Sequence, residues 1–106
     1  MAKYLLKGAY TVAGTKALLK GGGSARRAAF EKAVQGLGGT VEANYYSFGE
    51  ADVVSIVDLP DATSAAALSL SINATGAIEV STTPLISPEE IDQACKKSVK
   101  YRPPQG

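Results

Sequence analysis

The spacing of apolar positions along the chain switches between a period of about two and a period of about 3.6, the signatures of strand and helix. Lys3 to Val12 (KYLLKGAYTV) reads as a first strand, because Tyr, Leu and Val favour extended backbone. Gly8 in its middle points to a bulge or to the close approach of another group. AGTKALLK follows as a short helix with Lys16 and Lys20 on one face. After a run of glycines, Ser24 is placed as the N-cap of a longer helix. Ala29, Phe30, Ala33, Val34 and Leu37 form its apolar stripe, and Gly38-Gly39 ends it. TVEANYYSF and ADVVSIVDL read as two strands joined at Gly49-Glu50. In the first of these, alternation puts Glu42, Asn44, Tyr46 and Phe48 on one face. Asp61 caps a helix that carries Ala65, Leu68 and Ile72 on one side and ends near Gly76. AIEVSTTPLI is a fourth strand, placed at an edge by Pro84. Ser87, Pro88, Glu89 and Glu90 then make a strong start for a terminal helix, and the tail VKYRPPQG is extended.

The order βαββαβ plus a terminal helix is that of an α+β, ferredoxin-like sandwich, an antiparallel sheet with helices on one face. The opposite face is apolar too. Strand one carries Leu5 and Ala9 there, strand three Val54 and Ile56, against Tyr4, Leu6, Tyr10, Val53 and Val57 on the other side. A half-solvated antiparallel sheet alternates more cleanly. Self-association through the sheet is therefore expected, most simply as a twofold homodimer. The competing expectation is that the terminal helix folds back over this face.

Composition narrows the chemistry. The 106 residues are expected to form one domain, and with 45% hydrophobic and 20% charged residues the chain is folded rather than disordered. A formal charge of +1 supplies no field to hold nucleic acid or an anionic membrane. The basic tail of Lys96, Lys97, Lys100 and Arg102 reads as a solvated helix end, so nucleic acid is not an expected partner. No histidine is present, which removes histidine metal sites, Ser-His-Asp triads and histidine bases. Acid–base work would fall to Asp, Glu, Lys or Tyr. Cys95 has no partner for an internal disulfide and reads as a bystander thiol. No metal or cofactor is expected. The start shows no signal-peptide pattern and no apolar run approaches a membrane span, so the expected setting is cytoplasmic.

Two constellations carry candidate chemistry. Arg26 and Arg27 lie in the first turn of the second helix, where the backbone dipole disfavours cations. An anion held there would reverse the sign, with Ser24, Arg26, Arg27 and Lys20 as its ligands. Against this stand an Arg27–Glu31 pair one turn apart and an acidic group from a neighbouring subunit. The second constellation is Tyr10 and Tyr46 with Asp52, which could move a proton on an activated carbon acid or phenol without a cofactor. The opposing reading makes the tyrosines core or interface aromatics. Asp52 and Asp58 are too far apart for a catalytic carboxylate pair, and Asp58 reads as turn chemistry before Leu59-Pro60-Asp61.

The stretches KYLLKGAYT, GGGSARRAAFEKAVQGLGG, SFGEADVVSIVDLPD and AAALSLSINATG, in that order, resemble the GYD-domain proteins, small bacterial proteins of unassigned function. The likeness covers about residues 3–92, with the terminal helix and tail at 87–106. It implies a ferredoxin-like fold related to the dimeric α/β-barrel proteins, and no established catalytic residues. Where the family has Gly-Tyr-Asp, this chain reads Gly49-Glu50-Ala51-Asp52, with Ala51 at the tyrosine position. Three functional classes remain: a self-associating module that binds a small molecule, in its sharpest form an anion; a cofactor-independent enzyme using tyrosine and aspartate; and a protein of assembly alone.

Overall fold

The computed structural model describes residues 1–104. Strands β1 (Ala2–Tyr10), β2 (Thr40–Tyr46), β3 (Val53–Leu59) and β4 (Ile78–Leu85) are joined by helices α1 (Val12–Gly21), α2 (Gly23–Gly36) and α3 (Ala62–Asn73); α4 (Pro88–Cys95) follows β4. All pairings are antiparallel, in the order β2-β3-β1-β4, which is the ferredoxin-like α+β plan with an added helix. Pro84 lies on β4, an edge strand, where its missing N–H costs no ladder bond.

The core lies between one sheet face and the helices. Tyr4 and Leu6 of β1, Val57 and Leu59 of β3, Val34 of α2, and Ala65 and Leu68 of α3 are buried together. Phe30, Leu37 and Ile72 pack on them half-buried, so the apolar stripes of both helices face the sheet as their spacing requires. The caps hold each helix in place. Thr11 accepts from the Gly14 N–H and donates to the Gly76 carbonyl, tying α1 to the turn before β4. The Asp61 carboxylate accepts from the Ser64 N–H at 2.8 Å. Ser87 and Glu90 form a reciprocal capping box at α4.

The structure corrects several local expectations. Ser24 is not an N-cap. Helix α1 runs on to Gly21, Gly22 alone forms the junction at φ +83°, and α2 begins at Gly23 with no side-chain cap bond. That left-handed backbone suits glycine. The β2–β3 connection spans residues 47–52 rather than two residues. Phe48 lies in this loop at φ +53° and stacks on Tyr46, with centroids 6.2 Å apart. Glu42 does not share a face with Asn44 and Tyr46. A β-bulge between Val41 and Ala43 inserts it as an extra residue and turns it to the outer face. There the Lys3 ammonium meets Glu42 at 3.0 Å and Asp58 at 2.9 Å. Asp58 is thus a strand residue in an ion pair, not turn chemistry. Gly8 does mark a close approach: a Cβ there would stand 2.5 Å from Ile78 and 2.9 Å from Val53.

On the outer sheet face, Leu5, Val54 and Ile56 are only half-covered. The terminal helix does not fold back over them, because α4 is exposed along its length and buries no side chain.

Candidate functional site

A cavity of about 270 Å³ opens between the inner sheet face and the helices. Its apolar wall is made by Leu6, Val53, Ile78 and Val80 from the sheet and Phe30 and Ile72 from the helices. Alanines 17, 29 and 33 keep the helix side open, and Gly8 does the same for β1.

Polar groups gather at one side. Tyr10, at the end of β1, and Tyr46, at the end of β2, both line the cavity, as do Arg26 and Arg27 from the first turns of α2. Tyr46 also joins two elements. Its hydroxyl donates to the Gly23 carbonyl at 3.3 Å, and its ring lies against Gly23. This contact holds the start of α2 over the sheet. Deeper in, Asn44 donates to the Ser55 hydroxyl at 2.7 Å, satisfying the buried serine.

The electrostatics favour donors. Burial pushes the Tyr10 phenol up to about 12, and the adjacent Tyr46 phenol adds to the rise, while nearby Arg26 opposes it. Tyr10 therefore stays protonated and presents an O–H. The Asp52 carboxylate accepts the Tyr10 backbone N–H at 2.8 Å, and the Asp52 N–H donates to the Gly8 carbonyl, so this residue fixes the end of β1. It does not line the cavity, and neither does any other carboxylate among the described residues.

The fold brings Tyr10, Tyr46, Arg26 and Arg27 together, and Asp52 stands behind Tyr10. Ser24 lies aside in a shallower groove with Arg27, Asn44 and Tyr45. Lys20 is exposed at the end of α1 and lines neither hollow. Arg27 approaches Glu31 at 3.7 Å, a loose pair between exposed side chains, and Arg26 makes no ion pair among the described residues. Sequence reasoning missed Ser55 and the wall formed by Ile72, Ile78 and Val80. The one local signal was a polar residue inside VVSIV, which has to find a partner once buried.

Among the described residues, no group of three His, Cys, Asp or Glu side chains could hold a metal, and no helix is long and apolar enough to cross a membrane. Cys95 is exposed. A family model described as GYD domain matches residues 4–95. No curated protein and no solved structure matches the chain.

Proposed function

The chain belongs to the GYD domain family, and from that premise we propose that it is a self-associating module that binds a small organic anion at the mouth of its cavity. The observation that carries this reading is the meeting of Arg26 and Arg27 with the Tyr10 and Tyr46 phenols on one apolar cavity that no carboxylate lines. Guanidinium groups only donate, the phenols can donate, and with no carboxylate beside them the set suits an anion. The sequence posed the problem of cations in the first turns of a helix. An anion beside them offsets the unfavourable dipole contact. We place the protein in the cytoplasm on the strength of its sequence pattern alone.

Self-association draws support from exposed area. The described chain has 7520 Å² of accessible surface, whereas a compact monomer of its mass would show about 5,600 Å². Its radius of gyration is 16.9 Å against about 13 Å for a compact domain of this length. The projecting C-terminal arm, with Ile86, Ile91, Val99 and Tyr101 exposed, accounts for this excess together with the half-covered sheet face. A second copy, sheet to sheet, would cover the sheet face.

The enzymatic reading keeps Tyr10 or Tyr46 as the proton carrier with Asp52 behind. It has less support, because Asp52 is occupied by backbone and burial makes Tyr10 a poor base at neutral pH.

A thermal-shift panel of inorganic phosphate, nucleotides and small carboxylates tests the binding function. At least one anion should raise the melting temperature of the wild type and leave Arg26→Ala/Arg27→Ala unmoved. If none stabilises the wild type, or if both proteins respond alike, the anion reading is lost.

A further inference from the structure

We infer that the cavity selects an apolar monocarboxylate of roughly ten non-hydrogen atoms, seated with its carboxylate at Arg26 and Arg27 and its tail between the sheet and the helices; this rests on the anion-binding reading and narrows it to a ligand class. Size is the first argument. At about 30 Å³ per non-hydrogen atom, the share water takes in the liquid, 270 Å³ holds roughly nine or ten atoms. A nucleotide would overfill that space and have to project from the mouth.

Polarity is the second argument. The cations stand on one side only, and the remaining wall is formed by residues such as Leu6, Ile78, Val80 and Phe30. A ligand charged at both ends would leave one charge desolvated against hydrocarbon, which is costly. A compact dianion such as phosphate would leave most of the cavity unfilled, and the apolar wall would gain nothing from it. A carboxylate head matches the guanidinium fork, and a hydrocarbon tail matches the wall.

The third argument concerns hydrogen bonding. The Tyr10 hydroxyl remains a donor to high pH, as its burial ensures. It can give a bond to a carboxylate oxygen. The Tyr46 hydroxyl has turned its proton to the Gly23 carbonyl and so holds the frame. Asn44 spends an amide N–H on the Ser55 hydroxyl, so this pair presents no free cation or carboxylate to the ligand. Thr75, the polar side chain on the helix α3 side of the lining, is engaged by the Ile72 carbonyl and the Ala77 N–H.

Isothermal titration with octanoate, octanamide and inorganic phosphate tests the class. The proteins are wild type, Arg26→Ala/Arg27→Ala and two cavity-filling variants, Ala33→Leu and Ala29→Leu, each first shown to be folded by circular dichroism. Octanoate should bind the wild type at least tenfold more tightly than octanamide or phosphate. It should lose at least tenfold in the arginine variant and in whichever filling variants remain folded. If phosphate binds through the arginines as tightly as octanoate, the carboxylate class falls while anion binding stands. If octanamide equals octanoate, or the filling variants bind octanoate unchanged, the seated-tail geometry is wrong. If no probe binds, the inference falls, and the thermal-shift panel decides whether the anion reading falls with it.

Discussion

At the scale of single residues, close approach decides more than chemistry. Gly14 is buried in the first turns of α1, and the Ala77 carbonyl occupies the place its Cβ would take. That carbonyl belongs to backbone and accepts the Thr11 N–H at 3.0 Å, so it cannot swing aside as a side chain would. Gly14→Ala should therefore cost about 1–3 kcal/mol, the usual range for overpacking. Urea unfolding will measure it, and a loss below the error of the extrapolation would show that α1 can shift as a body. Residue identity also explains what the sequence revealed about the site. Arg26, Arg27, Tyr10 and Tyr46 stood out by type and local setting. Their convergence did not, because the tyrosines come from two strands separated by β3 and the arginines from α2, and only the folded sheet with α2 packed on it brings them together. Lys20 stood out equally by charge, yet its position on α1 turns it to solvent.

At the scale of elements, most of the pattern was legible. Apolar stripes at helical spacing and the caps Asp61 and Ser87 are local signals, and locality is what a sequence preserves. Two errors have physical causes. Ser24 has the right composition for a cap, but α1 continues far enough that Gly22 makes the junction and the serine falls inside the helix. The bulge in β2 leaves no mark on composition, since one extra residue changes the facing of Glu42 without changing its chemistry. The caps permit a test with a defined sign. The Ser64 backbone N–H holds the Asp61 carboxyl below the usual aspartate range. Its contribution is therefore complete above the pKa of an unfolded aspartate and disappears as pH falls through the lower folded value. The gap in Tm between wild type and Asp61→Ala should be present at neutral pH and close under acid conditions. A gap that stays constant with pH would mean the helix start is held by something other than this charge.

At the scale of the whole molecule, the sheet divides two kinds of surface. The inner face is filled by core and cavity; the outer face keeps Leu5, Val54 and Ile56 partly buried among Lys3, Lys7, Asp58 and Glu79. Lys7 lies beside Val54 within this face, so a partner would cover its stem as well as the apolar groups. Sedimentation equilibrium should find a dimer in the wild type. Ile56→Glu should give a monomer with unchanged far-ultraviolet circular dichroism, since its side chain points away from the core. A wild type that remains monomeric through high micromolar concentration would remove the sheet-to-sheet arrangement while leaving the cavity argument intact.

The bulge has a consequence for chain length. Val41 pairs with Val57 and Ala43 with Ile56, so Glu42 is supernumerary to the ladder. A chain lacking that position would pair residue for residue and still aim Asn44 and Tyr46 inward. One lacking a residue between Asn44 and Tyr46 would reverse the facing of the rest of the strand, taking the phenol out of the pocket. Natural descendants of this chain can thus lose a codon at one place in β2 without turning the strand over, and are constrained in number, as well as in kind, only a few steps later.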